Sequence, residues 1–226
     1  MKRRQFTCGA ASAAGLGLLA APPALALSEG DAAAGVRAAL ERGAVSAVGK
    51  LGQADGFLGN PKVRIPLPGY LNDAAKLLKA AGQQHKVDEL VTAMNRAAEA
   101  AVPEAKTLLV SAAKSITVDD ALKIVKGGDT SVTDYFAAKT REPLGVKFLP
   151  IVTQATERVS LADRYNAVAS KAVGLGLVKK EDANIQQYVT TKALDGLFTM
   201  IGEEEREIRA DPVKTGSAIL KKVFGG

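Results

Sequence analysis

Apolar side chains recur at the spacing of one helix face along almost the whole of this 226-residue chain. This periodicity constrains the fold more than any other feature. From about residue 30 to residue 51, for example, Val36, Leu40, Ala44, Val48 and Leu51 fall on one stripe. No segment shows the sustained alternation of apolar and polar residues that a half-buried strand requires. The sequence therefore predicts an all-α protein.

The most apolar helix is predicted near the C-terminal end, between about residues 182 and 209. Its apolar positions cover more than half of the circumference, whereas a stripe of about 100° is enough for a surface helix. We therefore predict one domain, residues 27–226, with about nine or ten helices around this long central helix.

Prolines, glycines and N-caps set the predicted helix boundaries. Pro143 and Pro150 frame a predicted helix over residues 142–159, kinked or restarted at Pro150, because proline disfavours a helix interior. Thr117 and Ser160 resemble N-caps, since an acidic residue follows each of them by three positions. The helix after Ser160 is predicted to cover residues 161–173.

Residues 56–69, called the Pro-rich segment below, form the one long irregular stretch. They contain three prolines and three glycines, which exclude a continuous helix. Val63 and Ile65 alternate with charged residues inside it, so we expect a short extended piece that lies across helices. A loop of this length with apolar residues is usually fixed in place or functional.

The first 26 residues resemble an export signal. Arg3 and Arg4 precede an alanine-rich apolar run, and the run ends in a small-x-small site at residues 24–26. We predict cleavage after Ala26, export by the twin-arginine route and a periplasmic location, with the general secretory route as the alternative. A membrane anchor is the less favoured interpretation, because the run is only mildly apolar and contains glycines and prolines.

Charge and cysteine content exclude several classes of function for the mature chain. Without the leader, 27 basic and 24 acidic residues remain, a net charge of +3, and the two signs are interspersed. Such a surface does not favour nucleic-acid binding. Cys8, the only cysteine, lies in the leader, so disulfides, thiol nucleophiles and cysteine-bound metals are excluded. We predict no metal and no cofactor.

Titratable residues offer few catalytic arrangements. The single histidine, His85, stands in a polar turn between predicted helices, where we expect a solvent-facing loop residue, and one histidine cannot supply a zinc site. The acidic residues at 203–205 and 207 alternate with Arg206 and Arg209 at helical spacing. This spacing predicts a solvated face with pairs such as Glu203 with Arg206 and Glu205 with Arg209.

Two sets of polar residues at helical spacing are the candidate binding site. Asn95, Arg96 and Glu99 lie on a predicted helix opposite its apolar stripe, and Lys192 with Asp195 repeats the pattern on the long central helix. Each set either forms structural pairs that face water or lines an internal polar pocket. The sequence leaves both alternatives open.

Several stretches together resemble one known bacterial family, in matching order and spacing. They are residues 51–68 (LGQADGFLGNPKVRIPLP), 92–105 (TAMNRAAEAAVPEA), 127–136 (GGDTSVTDYF), 188–212 (YVTTKALDGLFTMIGEEEREIRADP) and 220–225 (LKKVFG). The chain thus resembles the family designated domain of unknown function 4197 over nearly all of its mature length. The resemblance implies an exported, helical protein of Gram-negative bacteria, and it supplies no catalytic residues.

Three functions remain open at this stage. The favoured one is a periplasmic domain that binds a ligand or another envelope protein without catalysis. The second is a carboxylate-dependent hydrolase of envelope material that would use Glu99, Glu104 and Asp195. The third is a lipid-binding or membrane-surface protein, in which the predicted amphipathic helix at residues 213–224 could contact the membrane, although packing on the domain is favoured.

Overall fold

The computed structural model describes residues 28–157, 163, 165, 166 and 184–225. The predicted leader, the predicted N-cap at Ser160 and most of the helix predicted over 161–173 lie outside these residues. The described part contains α1 (Glu29–Leu51), α2 (Asn72–Ala80), α3 (Gln84–Ala101), α4 (Ala105–Lys114), α5 (Val118–Val125), α6 (Ser131–Thr156), α7 (Ile185–Ala210) and α8 (Ala218–Phe224). Two 3-10 turns, Gly69–Leu71 and Val102–Glu104, precede α2 and α4.

The all-α prediction is confirmed, because the residues described above contain helices and no strand. The predicted number of helices is wrong, since the described chain has eight α-helices where about nine or ten were expected. One cause is α6, which runs without a break from Ser131 to Thr156 across both of its prolines.

The two prolines of α6 are tolerated because of where they lie. Pro143 and Pro150 are both exposed, so solvent can reach the carbonyl oxygens that proline leaves without an amide partner. The same helix buries Phe136, Leu144 and Phe148 completely. Burial of three large side chains at about 1.5–3 kcal/mol each is comparable with a penalty of roughly 3 kcal/mol for each of the two prolines, and solvation of the freed carbonyls reduces that penalty.

Helix α7 is one of the core helices and buries more than half of its residues, as its apolar circumference predicts. It packs against α6 on one side and α1 on the other, and α6 with α7 form the most extensive helix pair in the described chain. The pair is antiparallel, because Thr133 contacts Glu205 near the start of α6 whereas Arg141 contacts Asp195 further along. This antiparallel register positions the candidate site described below.

The last helix, α8, packs on the first. An ideal Cβ placed on Gly35 of α1 would lie 2.4 Å from Cγ2 of Val223, so the two backbones approach closely only because residue 35 is glycine. Lys222 donates to Asp31 at 2.6 Å, and this contact together with the Ser28 hydroxyl holds the pKa of Asp31 below its usual value. The apolar side chains of α8 therefore lie within the fold.

Among the described residues, no helix combines the length and the apolarity needed to cross a bilayer. The predicted N-cap of α5 is confirmed: the Thr117 hydroxyl accepts from the amide of Asp120 at 3.2 Å and donates to its carboxylate at 2.7 Å.

Candidate functional site

Asn95 on α3 holds the extended part of the Pro-rich segment. Its side-chain oxygen accepts from the amide of Ile65 at 2.8 Å, and its side-chain nitrogen donates to the carbonyl of Ile65 at 2.9 Å. The same nitrogen donates to the carbonyl of Val91 at 2.8 Å. A carboxamide can offer one acceptor and two donors in this way, so Asn95 pairs with the segment as a neighbouring strand would.

Glu99 and Arg96 fix the start of the same segment. One carboxylate oxygen of Glu99 accepts from the amides of Phe57 and Leu58 at 3.0 and 3.1 Å. The other accepts from Arg96 at 2.6 Å, and Arg96 also donates to Asp55 at 2.8 Å. Asn95, Arg96 and Glu99 are called the α3 polar cluster below.

The α3 polar cluster is used for structural pairing, and the predicted pair of Arg96 with Glu99 is present. Asn95 and Glu99 are 0% and 5% exposed, yet they are covered by the Pro-rich segment and not by an internal polar cavity. Val63 and Ile65 are buried while Arg64 is exposed, so the predicted extended piece across helices is found. The hydrogen-bonding capacity of the cluster is occupied by the chain itself.

The acidic run on α7 also differs from its prediction as a solvated face. Glu204 and Glu205 are buried, and Glu204 accepts from Ser46 at 2.7 Å and from Lys50 of α1. Glu203 pairs with Lys62 at 2.7 Å, where Arg206 was expected. These acids join α7 to its neighbours, because the central position of α7 leaves little of its surface exposed.

Glu205 caps the start of α6. Its carboxylate accepts from the amides of Val132 and Thr133 at 3.1 and 2.8 Å and from the Thr133 hydroxyl at 2.7 Å. Arg209 pairs with it at 2.9 Å, as the helical spacing predicts. The first turn of a helix has free amides and a positive dipole end, so a buried carboxylate is well placed there.

A groove of about 400 Å³ lies between the exposed edges of α6 and α7. It is called the α6–α7 groove below. Its charged residues are Asp134 and Arg141 on α6 with Asp195 and Arg206 on α7, and Gly202 lies between them. An ideal Cβ on Gly202 would meet only the methyl and hydroxyl groups of threonines at 3.6–3.7 Å, so the glycine keeps the groove open without being sterically required.

The charges at one end of the groove satisfy each other. Arg141 donates to Asp195 at 2.9 Å, and its guanidinium lies 5.3 Å from the centre of the Phe198 ring. Lys192 adds a longer contact to Asp195 at 3.5 Å. The predicted pairing of Lys192 with Asp195 is therefore present, and Arg141 is a partner that the sequence did not indicate.

The structure keeps the two predicted sets apart. The α3 polar cluster lies under the Pro-rich segment, whereas Asp195 lines the α6–α7 groove. The groove residues Asp134, Arg141 and Arg206 were missed. Asp134 and Arg141 are seven positions apart on one helix face, but only the register of α6 against α7 brings them to Asp195 and Arg206.

Metal binding finds no support in the described part of the chain, where no group of three histidine, cysteine or acidic side chains could hold an ion. His85 is exposed, as predicted, but it lies in the first turn of α3 and not in a loop between helices. The buried carboxylates of Glu99 and Glu205 accept from backbone amides and arginine, which is a structural arrangement.

The described residues form an all-helical protein with a polar cleft along the α6–α7 pair. A family model described as "Protein of unknown function (DUF4197)" matches residues 26–225. The chain belongs to that family, and the resemblance drawn from its sequence stretches is confirmed. No curated protein and no solved structure matches the chain.

Proposed function

We propose that this chain is an exported, non-catalytic protein that binds a small polar ligand in the α6–α7 groove. The observation that carries the proposal is the groove itself, a cleft with charged side chains from both helices of the best-packed pair. Its volume of about 400 Å³ is within the range of roughly 300–1,000 Å³ that is usual for small-molecule sites.

The position of the groove supports binding over a purely structural role. Charged residues that only stabilise a fold are expected to find partners within the chain, as Glu99, Glu204 and Glu205 do. The groove instead combines an ion pair, Arg141 with Asp195, with two exposed charges, Asp134 and Arg206, that have no ion-pair partner within the described residues. Rigid elements hold binding groups at fixed spacing, which reduces the entropy lost when a ligand binds.

A location in the periplasm is part of the proposal and rests on the leader. Arg3 and Arg4, the apolar run and the small-x-small site at residues 24–26 support export with cleavage after Ala26. Transport by the twin-arginine route would deliver a folded protein, in which the groove is already formed.

The hydrolase alternative is less well supported. Its candidate acids are Glu99, Glu104 and Asp195, and a glycosidase-type mechanism needs two carboxyl groups about 5–9 Å apart in one cleft. Glu99 lies under the Pro-rich segment, Glu104 is exposed in the turn before α4, and Asp195 is paired with Arg141. A ligand-binding role requires no such convergence.

Native mass spectrometry tests this proposal with a matched pair of variants. The full chain is expressed with its leader, the mature product is purified from the periplasm, and its mass is compared before and after denaturation. In Gly202→Leu the new side chain fills the groove, whereas in Gly202→Ala the added methyl makes only ordinary contacts. Circular dichroism checks that both variants are folded.

The proposal predicts a discrete mass that is lost on denaturation, present in the wild type and in Gly202→Ala and absent from Gly202→Leu. It also predicts a polypeptide mass that begins at Leu27. A ligand retained equally by a folded Gly202→Leu variant would place the site elsewhere and overturn the proposal. A ligand-free wild type that also fails to bind any small molecule from periplasmic extract would do the same.

A further inference from the structure

The charged side chains at one end of the α6–α7 groove form an ion pair, whereas those at the other end do not. Arg141 and Asp195 form an ion pair at one end. At the other end lie Arg206 and Asp134, and within the described residues neither of them takes part in an ion pair. The carboxylate of Asp134 accepts one side-chain hydrogen bond, from the hydroxyl of Thr130 at 3.2 Å.

The geometry of the helix pair directs these two side chains toward the same place. Asp195 and Arg206 are eleven residues apart on α7, so the two ends of the groove are separated by about 16 Å along the helix axis. Helical side chains lean toward the N-terminus of their own helix. Because α6 and α7 are antiparallel, Arg206 and Asp134 both lean toward the level of Gly202.

The threonine hydroxyl groups that line the groove already donate their hydrogens to oxygen atoms of the chain. Thr130 donates to Asp134, Thr133 to Glu205, and Thr199 to the carbonyl of Asp195. The guanidinium of Arg206, with five N–H groups, is therefore the main free donor at this end, and the carboxylate of Asp134 is the main free acceptor. A ligand that satisfies both must carry an anionic and a cationic group close together.

We propose that the α6–α7 groove binds the head group of an α-amino acid. The carboxylate of the ligand accepts from Arg206, and its ammonium group donates to Asp134 and to the threonine oxygens beside it. The absence of a Gly202 side chain leaves room for the α-carbon between them. This proposal rests on the proposed function of the groove and names the class of its ligand.

The rest of the groove suits the side chain of such a ligand. Ala137 and Phe198 line the middle between the two charged ends. Phe198 already lies against the guanidinium of Arg141, so this part offers an apolar surface next to a neutralised pair. A side chain that extends from the head group toward Arg141 would bury apolar atoms there without leaving a charge unpaired.

Isothermal titration calorimetry of the purified, dialysed protein with the twenty common amino acids, one at a time, tests the proposal. Each amino acid that binds is then compared with its N-acetyl derivative and its carboxamide. The protein variants are Arg206→Gln and Asp134→Asn. Arg64→Gln and Asp119→Asn are the matched controls, because these residues are exposed and lie outside the groove.

We expect at least one amino acid to bind, and both blocked derivatives to bind about tenfold more weakly or less well still, as expected for the loss of a hydrogen bond to a charged group. Arg206→Gln and Asp134→Asn should weaken binding similarly, and the controls should leave it unchanged. Arg206→Gln should no longer distinguish the free acid from its carboxamide, because the group that recognises the carboxylate is gone.

Two results would overturn the inference. One is the absence of binding by any of the twenty amino acids up to about 10 mM. The other is equal binding of the blocked derivatives or of the two groove variants. If native mass spectrometry then still detects a ligand that Gly202→Leu excludes, the groove remains a binding site and only the class of ligand is wrong. If it detects none, the proposed function fails as well.

Discussion

Replacement of Asn95 by alanine should release the Pro-rich segment and destabilise the whole protein. Asn95 is fully buried and satisfies both the amide and the carbonyl of Ile65, which is itself only 1% exposed. Alanine removes these bonds and brings no replacement. The buried backbone of the segment then has no partner at this position, and solvent cannot reach it unless the segment moves.

The expected loss is about 2.5–4.5 kcal/mol in the free energy of unfolding. Two net hydrogen bonds contribute about 1 kcal/mol each, and a buried amide without a partner adds about 1–3 kcal/mol. The better helix propensity of alanine returns only about 0.5 kcal/mol. With a urea m-value near 2 kcal/mol/M, the midpoint should fall by about 1–2 M.

Urea unfolding followed by circular dichroism measures the global effect, and trypsin measures the local one. Lys62 and Arg64 are exposed cleavage sites inside the Pro-rich segment. Release of the segment should make cleavage after Arg64 faster under native conditions. Glu89→Ala, an exposed position on the same helix, is the control and should change neither measurement.

A loss below about 0.5 kcal/mol, with unchanged cleavage after Arg64, would refute this reasoning, because surface substitutions cause effects of that size. Such a result would mean that the apolar contacts of the segment hold it without Asn95. A loss equal to that of Glu89→Ala would have the same meaning.

Three further predictions concern other contacts between helices. Glu205→Gln should lower the free energy of unfolding by about 2–3 kcal/mol, because the side-chain NH2 group of glutamine would replace one of the two oxygens that accept from the amides at the start of α6. An unchanged midpoint of urea unfolding would contradict this prediction. Gly35→Ala should cost about 1–3 kcal/mol through its clash with Val223, and the additional change Val223→Ala should restore part of that loss, whereas no recovery would exclude the clash as the cause. Tyr135→Phe should raise the lowered pKa of Asp120 part of the way to 3.8, measured by carboxyl-carbon NMR, since the N-cap hydroxyl remains the larger cause; a pKa unaffected by the change would show that the phenol has no role.

The sign of the last effect also fixes a dependence on pH. The N-cap hydroxyl of Thr117 and the phenol of Tyr135 favour the ionised form of Asp120 and lower its pKa in the folded state. The resulting stabilisation is present above the unfolded value of 3.8 and is lost as the pH falls through the folded value. Tyr135→Phe should therefore reduce the loss of stability between neutral pH and strongly acidic pH.

Helices with a regular apolar stripe could be predicted from the sequence. The stripe through Val36, Leu40 and Leu51 predicts a helix over about residues 30–51, and α1 covers Glu29–Leu51. The predicted central helix at residues 182–209 corresponds to α7, Ile185–Ala210. The break near Pro143 was wrong, because a local proline penalty was weighed without the tertiary burial of apolar side chains on the same helix.

The candidate site could be predicted only in part, since spacing along one helix does not reveal what covers that helix. The pattern of Asn95, Arg96 and Glu99 indicated a polar cluster correctly, but their cover is a segment about thirty to forty residues earlier in the chain. Glu205 and Arg141 have partners 72 and 54 positions away. Such contacts depend on helix packing, for which the local pattern contains no signal.

Amide chemical-shift mapping of the mature protein with a low-molecular-weight periplasmic extract tests most directly whether the α6–α7 groove is a ligand site. If the groove binds the ligand, the largest shifts occur at Gly202, Thr199 and Thr133, which line the groove, and Gly202→Leu abolishes them. Shifts concentrated elsewhere, for example around Arg42 and Glu207 on the other side of α7, would contradict it. A folded protein whose groove amides do not move at all would contradict it equally.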